Sequence, residues 1–266
     1  MIERFQNVVY DYYQTRGRDL PWRKTNDPYK ILVSEVMLQQ TQVERVLRKY
    51  EQFLQCFPTF EGLAKAPLQA VLDVWRGLGY NRRAIALKKV ADIVVNELDG
   101  KLPSDDQVLQ NLPGIGKTTA GAIRAFAFNE PAVFIETNIR TVFLHTFFAG
   151  KLGTRDIEIY PLIEQTLDRS NPREWFYALM DYGVMLKKKY GNPSRMSAHH
   201  KKQASFQGSN RQLRGAILAL IVEHPGITEI ELVQILRRNP DTIQTNLTKL
   251  EQEGFFKRKG DAFFVE

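Results

Sequence analysis

Residues 112–123, LPGIGKTTAGAI, indicate how this chain is folded, because they place a tight turn between two helical patterns. Gly114 and Gly116 permit the turn, and a helical pattern follows from Thr118. Backbone N–H groups exposed at such a turn, beside a helix N-terminus, favour phosphate. The spacing is not that of a nucleotide-binding P-loop. Glycine spacing alone is equally consistent with a structural turn between two helices.

Helical periodicity accounts for almost every other segment of the 266-residue chain. Asp27 and Pro28 are typical of a helix start, and the apolar pattern after them is expected to break near Gln40. Strand-like alternation is confined to residues 255–266, FFKRKGDAFFVE, which predict a hairpin that turns around residues 259–261. The sequence therefore predicts an all-α fold with one small C-terminal β-hairpin.

Composition and charge restrict the possible functions. With 43% hydrophobic residues and no apolar run of about 18 residues, the chain is expected to be soluble and without a membrane span. Its single cysteine, Cys56, excludes an internal disulfide, favours a reducing, cytoplasmic location, and is expected to be a buried thiol. The formal net charge of +7 favours a polyanion, with nucleic acid first. Residues 182–222 contain no acid and are interpreted as a phosphate-tracking segment, a solvated basic loop being the alternative.

Four motifs follow one another along the chain, namely residues 20–43 (LPWRKTNDPYKILVSEVMLQQTQV), 74–87 (VWRGLGYNRRAIAL), 112–123 and 134–142 (FIETNIRTV). Together they closely resemble the helix-hairpin-helix DNA glycosylases, and within them the MutY-type A/G-mismatch adenine glycosylases. The resemblance covers about residues 1–187. It implies a two-lobed all-α fold that binds double-stranded DNA in the cleft between the lobes. Residues 1–22 with about 131–190 would form one lobe, and about 23–130 the other.

The resemblance assigns roles to two carboxylates and an amide. Glu35, an acid inside the apolar stretch ILVSEVMLQQTQ, matches the catalytic glutamate, and burial would raise its pKa and keep a proton available for the leaving purine. Glu136 stands where the family has aspartate, and would stabilise the sugar cation. Asn138 matches an active-site asparagine. Position alone also suits Glu35 as a buried helix-pairing residue and Glu136 as a helix cap.

Thr118 bears on the type of reaction. Related enzymes that also cut the DNA strand carry a Schiff-base lysine at this position, and a threonine cannot form an imine. The resemblance therefore implies a monofunctional glycosylase. Lys117 is adjacent but turned away by one helical step, so it is expected to meet phosphate.

Further residues are predicted to bind DNA. Gln40 and Tyr80 match residues that wedge into the base stack during base flipping, although Tyr80 also suits a core aromatic. The full predicted set comprises Arg23, Gln39, Gln40, Tyr80, Arg82, Arg83, Gly114, Gly116, Lys117, Lys187, Lys188, Lys201 and Lys202.

The chain departs from the resembled family in one cofactor. Family members usually hold a [4Fe–4S] cluster on four cysteines after the last core helix, and this chain has none of the four. Its histidines form no zinc pattern with Cys56 either. No metal or other cofactor is therefore expected. Residues 191–209 are predicted to be a basic polar linker that replaces the DNA contacts of the cluster loop.

The C-terminal region also departs from the family. Residues 210–266 resemble a winged helix-turn-helix with its recognition helix near residues 241–253, where MutY-type enzymes have a Nudix-like domain. This module could bind DNA or protein. The overall expectation is a monomeric base-excision enzyme associated with the nucleoid. Excision of another base, or a non-catalytic DNA-binding role, are the alternatives.

Overall fold

Helices are the predominant secondary structure of the computed structural model, which describes residues 2–199 and 205–265. The α-helices are α1 Ile2–Arg16, α2 Pro28–Leu38, α3 Val43–Cys56, α4 Phe60–Lys65, α5 Leu68–Trp75, α6 Arg82–Glu97, α7 Asp106–Asn111, α8 Lys117–Phe128, α9 Thr137–Phe147, α10 Asp156–Thr166, α11 Pro172–Tyr190, α12 Asn210–Glu223, α13 Glu229–Leu236 and α14 Pro240–Gln252. Strands β1 Lys257–Lys259 and β2 Ala262–Phe264 follow. The prediction of an all-α fold with a C-terminal hairpin is confirmed.

Local sequence signals explain where several of these elements begin and end. Asp27 Oδ1 accepts a hydrogen bond from the N–H of Tyr29 at 2.9 Å, which caps α2 as expected. The predicted break after α2 lies at Gln40, whose φ of 53° is left-handed and incompatible with a continuing helix. In the hairpin, Lys259 pairs with Ala262 around a turn that includes Gly260 at φ 60°. The six-residue α4, capped by Thr59, was not predicted, because it is too short to show periodicity.

The chain divides into two compact units, and the division differs from the predicted one. One unit comprises Met1–Glu35 and Pro103–Lys202, and the other Val36–Leu102 and Gln203–Glu266. The predicted lobe boundaries near residues 22 and 131 would have separated α7 and α8 from α11. They belong together, because Phe126 of α8 stacks on Tyr177 of α11 with ring centroids 4.4 Å apart.

In the first unit, α11 is the central helix and packs against α1, α8 and α9. Its Trp175 is fully buried and meets the ring of Phe5 edge-on at 5.8 Å. Phe134, which precedes α9, packs on Phe176 at 4.3 Å. These aromatic contacts fix α11 beside the start of α9, which is where the candidate site lies.

Residues directly after α11 belong to the first unit rather than to a linker. Pro193–Met196 form a 3-10 turn in which Ser194 is buried and hydrogen-bonds Thr141 of α9 at 2.7 Å. Gly153 N–H also donates to the carbonyl of Met196 at 2.8 Å. The predicted linker at residues 191–209 is therefore corrected for its first part, because these contacts hold it against the helical core.

In the second unit, α6 packs against α4 and α5, and the C-terminal module packs on α5 through α12. The module, residues 210–265, has its own core, which includes Ile217, Leu247, Phe255 and Phe263. Cys56, the last residue of α3, is exposed, so the expectation of a buried thiol was wrong. The buried residues of α3 are Val46, Tyr50 and Phe53, and Cys56 at the end of the helix is not among them.

No helix in the described part of the chain has both the length and the apolar composition required to cross a membrane.

Candidate active site

Glu35 lies in the second half of α2, half-buried among apolar neighbours. No described group donates a hydrogen bond to its carboxylate. Burial, and next the negative charge of Glu136, raise the pKa of Glu35 from 4.5 to about 8, while Arg23 acts in the opposite direction. Glu35 therefore carries a proton at neutral pH, as a general acid requires.

Glu136 is held in place by the helix that it caps. Its Oε1 accepts hydrogen bonds from the backbone N–H groups of Asn138 and Ile139, both at 2.7 Å. Its Oε2 accepts a third from Nδ2 of Asn138 at 3.1 Å. The helix-cap reading of Glu136 is therefore correct, and it does not exclude the catalytic one, because the cap fixes the carboxylate.

Lys187 of α11 completes this group and was not predicted to belong to it. Its Nζ donates to Oδ1 of Asn138 at 2.7 Å and to Oγ1 of Thr137 at 3.3 Å. Burial lowers the pKa of Lys187, and the charge of Glu136 counteracts this. Lysine, asparagine and glutamate thus form a chain of hydrogen bonds at the N-terminus of α9, which no spacing in the sequence had indicated.

The two carboxylates differ in the protonation state that their surroundings favour. Burial raises the pKa of Glu136 as well, but two backbone N–H groups and the charges of Lys187 and Arg140 stabilise its ionised form. Glu35 has only the charge of Arg23 to stabilise its ionised form. These surroundings favour the proton on Glu35 and the negative charge on Glu136.

Close approach of α9 and α11 depends on Gly183. A Cβ atom at this position would lie 2.4 Å from the backbone carbonyl oxygen of Asn138, which is shorter than any tolerable contact. Because Lys187 follows Gly183 by one helical turn, the same approach brings its amine to the side chain of Asn138. A glycine inside a helical pattern is the sequence signal that could have indicated this packing.

Arg23 is buried beside Glu35 rather than presented to solvent. Its side chain is 6% exposed, and its two terminal nitrogens each lie 2.8 Å from an oxygen of Asp181. The guanidinium also lies over the ring of Tyr177, 4.6 Å from the centroid. The predicted phosphate contact of Arg23 is therefore replaced by an internal role, because the paired carboxylate and the ring surround its charge. Asp181, like Glu35, is an acid within an apolar helical pattern, but the sequence analysis assigned it no role.

Thr118 and the turn before α8 belong to the same unit as the two carboxylates. Thr118 is exposed, and its Oγ1 donates to the carbonyl of Ile135, the neighbour of Glu136, at 3.3 Å. Gly114 has a φ of 76°, which explains the need for glycine in this turn. Gly116 caps α8 and is exposed, as is Lys117, whose amine lies 4.7 Å from the ring centroid of Tyr160.

Arg83, in the second unit, is an internal residue. It is 8% exposed, and its guanidinium donates to the end of α2 and to two loops. The acceptors are the carbonyl oxygens of Val36, Met37, Gln39, Leu78 and Gly79 and Oγ1 of Thr41, at 2.6–3.4 Å. The predicted phosphate contact is corrected, because backbone carbonyls already use its donors. Arg83 thereby joins the loop that carries Gln40 to the loop that carries Tyr80.

The predicted wedge residues both lie in left-handed conformations, with φ of 53° at Gln40 and 48° at Tyr80. Such conformations are costly for residues other than glycine and are frequent at functional sites. Gln40 is exposed, and Tyr80 is 38% exposed, so the core-aromatic alternative is not supported. Gln39, the residue before Gln40, is half-buried and supplies a carbonyl to Arg83.

The remaining predicted DNA contacts are distributed over both units. Arg82 is 72% exposed and forms an ion pair with Glu253 at 2.5 Å. Lys188 is exposed at the end of α11. Lys201 and Lys202 lie outside the described residues.

The donor set of this chain does not suit the cofactor of the resembled family. One thiol cannot replace four, and the residues after α11 that would hold the cluster instead include the buried Ser194 and Ser197. Within residues 2–199 and 205–265, no group of three or more His, Cys, Asp or Glu side chains is arranged to hold a metal ion.

Comparison with known proteins places this site in a repair family. Residues 33–160 match the family described as HhH-GPD superfamily base excision DNA repair protein. An adenine DNA glycosylase of Mycolicibacterium smegmatis is 30% identical over 279 residues, which cover 97% of this chain and 94% of that protein. One from Buchnera aphidicola subsp. Baizongia pistaciae is 35% identical over 185 residues, covering 68% of this chain and 52% of that protein. The chain thus spans about half the length of several curated relatives that it matches.

A solved structure supports the same relationship. The structure of a thermostable thymine-DNA glycosylase superposes with a TM-score of 0.63 at 27% sequence identity, covering 73% of this chain and 94% of that chain.

Proposed function

Because this chain belongs to the HhH-GPD superfamily of base excision DNA repair proteins, we propose that it is a monofunctional DNA glycosylase that removes adenine mispaired with guanine or 8-oxoguanine. Its substrate would be double-stranded DNA, bound by a monomer. The proposal depends above all on one observation: Glu136 accepts three hydrogen bonds at the start of α9, whereas Glu35 is surrounded by apolar neighbours that raise its pKa.

The difference between the two carboxylates supports a separate role for each of them. Glu35, protonated near neutral pH, would transfer its proton to a ring nitrogen of the flipped purine. The bond between the base and C1′ would then break with its electrons leaving on the base. The developing sugar cation would be stabilised by the ionised Glu136, which Asn138 and Lys187 hold in place. Addition of water to C1′ would complete the hydrolysis and leave an abasic site.

Thr118 supports the monofunctional assignment. Its hydroxyl lies 3.3 Å from the carbonyl of the residue before Glu136, beside the reacting groups, and it cannot form an imine with the sugar. The product strand would therefore stay intact until alkali cleaves the abasic site.

Binding of the duplex would use the turn before α8 and the two left-handed loops. Gly114, Gly116 and Lys117 would hold a phosphate at the N-terminus of α8. Gln40 and Tyr80 would fill the space that the flipped nucleotide leaves. We further propose that the enzyme works without an iron–sulfur cluster, so iron bound essentially to the purified protein would refute this part.

Adenine is favoured over other bases by the names of the relatives, several of which are adenine DNA glycosylases. A specific observation favours a second candidate. The thymine-DNA glycosylase structure matches over 94% of its own length, so excision of thymine, or of uracil, on the same catalytic groups is the alternative.

The test is a single-turnover glycosylase assay on duplexes that contain A opposite 8-oxoguanine, A opposite G, U opposite G, T opposite G, or hypoxanthine. Each product is read with and without hot alkali. We expect cleavage at the adenine mispairs only, and only after alkali. Glu35→Gln should lower the rate constant by about 10²- to 10⁴-fold. Excision of thymine or uracil instead would support the alternative, and cleavage without alkali would contradict the role assigned to Thr118.

A further inference from the structure

The turn that follows α11 brings a serine hydroxyl to the first turn of α9. Ser194 Oγ donates a hydrogen bond to the backbone carbonyl of Thr137 at 3.1 Å and lies 2.7 Å from Oγ1 of Thr141. Thr141 Oγ1 also donates to the Thr137 carbonyl, at 2.8 Å. We call Ser194, Thr141 and the carbonyl of Thr137 the hydroxyl cluster. The protons of its two hydroxyls are shared among three contacts.

The hydroxyl cluster is connected to the candidate catalytic carboxylate through one peptide unit. The carbonyl of Thr137 and the N–H of Asn138 belong to the same planar unit. That N–H donates to Oε1 of Glu136 at 2.7 Å. A carbonyl that accepts hydrogen bonds makes the N–H of its own unit a better donor, because successive hydrogen bonds polarise one another. The cluster therefore acts on the orientation of this N–H and on its strength as a donor.

Main-chain contacts fix Ser194 independently of its hydroxyl. Its N–H donates to the side chain of Asn192 at 3.1 Å, and the carbonyl of Met196 accepts from Gly153 at 2.8 Å. Ser194 and Thr141 are both buried, so water does not compete for their hydroxyls. Loss of the Ser194 hydroxyl alone should therefore alter the first turn of α9 and leave the turn after α11 in place.

From these contacts we propose that Ser194 is a positioning residue of the candidate active site, which fixes the carboxylate of Glu136 through the peptide unit between Thr137 and Asn138. The inference rests on the proposed function in one respect, the role of Glu136 in stabilising the sugar cation. Ser194 itself neither meets the substrate nor exchanges a proton with it. The start of the segment that was predicted to contact DNA thus serves the catalytic group from inside the protein.

The first experiment does not depend on catalysis. Amide hydrogen exchange is measured on the full chain and on its Ser194→Ala variant, at the N–H groups of Asn138 and Ile139 that bind Glu136. We expect both amides to exchange about 3- to 10-fold faster in the variant, as for the loss of one neutral hydrogen bond. Ser197→Ala is the matched control, because Ser197 is buried in the same segment and its hydroxyl accepts from the N–H of His199 at 3.1 Å. It should leave both amides unchanged.

The second experiment measures the single-turnover excision rate constant and the affinity for a duplex with an uncleavable abasic-site analogue. Ser194→Ala should lower the rate constant about 3- to 10-fold and leave the affinity unchanged. The acidic limb of the pH–rate profile should move to higher pH, because a weaker bond from the Asn138 N–H lowers the pKa of Glu136 less. Thr141→Val should have a similar effect, whereas Thr141→Ser keeps the hydroxyl and should retain the rate. The double variant Ser194→Ala with Thr141→Val should lose less than the two single losses combined, if the cluster acts as one unit.

Other outcomes would overturn the proposal. Unchanged exchange at Asn138 and Ile139 in a folded Ser194→Ala protein would show that the hydroxyl does not position the cap. An unchanged rate and pH profile, or an equal loss of rate in Ser197→Ala, would show that its role is only structural. If Ser194→Ala does not fold, the comparison of Thr141→Val with Thr141→Ser decides in the same way. Faster exchange in Ser194→Ala, with no excision of any base by the wild type, would support the positioning contact and refute the proposed function instead.

Discussion

Lys187 and Asn138 are joined by a hydrogen bond of 2.7 Å, and this bond links α11 to the candidate catalytic carboxylate at the start of α9. The Asn138 amide uses its oxygen for the ammonium and its nitrogen for Glu136. The neutral amide of Asn138 thus connects the ammonium of Lys187 to Glu136, the group that would face the sugar cation. On the proposed function, this arrangement makes Lys187 a positioning residue, and its replacement should change the rate of the chemical step.

Replacement of Lys187 by glutamine should slow the chemical step without abolishing it. Loss of one charge-assisted hydrogen bond corresponds to about 1.5–3 kcal/mol, or roughly 10- to 100-fold in the single-turnover rate constant. Lys187 also lowers the pKa of Glu136, so its removal should shift the acidic limb of the pH–rate profile to higher pH. Lys151→Gln, at an exposed lysine of the same unit, is the control and should leave both quantities unchanged. A Lys187→Gln profile identical to that of the wild type would refute the role.

The pKa of Glu35 should determine the basic limb of the pH–rate profile. Because the acid must be protonated and its pKa is raised to about 8, the rate constant should fall as the pH rises through about 8. A profile that remains flat to pH 9 would contradict the assignment of Glu35 as the general acid.

The same pKa has a consequence for stability. Between the ordinary value of 4.5 and about 8, the folded protein holds a proton on Glu35 that the unfolded chain has lost. The free energy of unfolding should therefore fall as the pH rises through this window. Glu35→Gln removes the titration, so it should be more stable than the wild type at pH 8.5 by an amount on the order of 2 kcal/mol, allowing for partial exposure. Chemical denaturation of both proteins at pH 5 and pH 8.5 measures their free energies of unfolding. A difference between the two proteins that does not grow with pH would contradict the prediction.

Gly183→Ala should disturb the candidate site by forcing α11 away from α9. Its Cβ would meet the carbonyl of Asn138, so we expect a loss of about 1–3 kcal/mol in the free energy of unfolding, together with reduced activity as α9 and α11 separate. Gly215→Ala is a matched control, because this glycine is also inside a helix and a Cβ there would meet nothing within 4 Å. The control should be neutral or stabilising by about 0.5–1 kcal/mol. Equal effects of the two substitutions would show that close packing at Gly183 is unimportant.

Arg83→Lys should be much more harmful than Arg82→Lys. Lysine cannot reproduce the bridge between the loops that carry Gln40 and Tyr80, and unsatisfied buried carbonyls should cost about 3 kcal/mol or more. Faster hydrogen exchange in those loops, with weaker binding of an abasic-site duplex, would be the signature. The exposed ion pair of Arg82 should be worth less than about 1 kcal/mol. If the two variants were equally stable, Arg83 would not be the link between the loops.

Local signals were sufficient to predict much of this molecule. The cap at Asp27, the break at Gln40 and the hairpin around Gly260 each depend on backbone preferences of a few adjacent residues, and each is found as expected. Glu35 could be singled out because an acid amid apolar residues is unusual, and its proposed role was assigned through the motif shared with the resembled family. Glu136 and its helix cap could be predicted from the sequence, although the contribution of Lys187 could not.

Other features depend on contacts between residues far apart in sequence, and the sequence did not reveal them. Arg23 and Arg83 read as surface cations because arginine is usually exposed, yet each is buried by acceptors from another segment. The role of Lys187 depends on a partner 49 residues away. The unit boundaries likewise follow from side-chain packing between α8 and α11. The hydrophobic periodicity of each helix does not show which other helix it packs against.

The cap formed by Glu136 has an evolutionary consequence. One carboxylate both begins α9 and carries the charge assigned to catalysis, so the helix cannot start elsewhere without moving that charge. An amide at this position would keep an oxygen that can cap α9 and would lose the charge, whereas alanine would lose both. The glutamate in place of the family aspartate is thus not a free variation in side-chain length. On the proposed function, one side chain serves both the fold and the chemistry, so each role restricts the changes that the other allows.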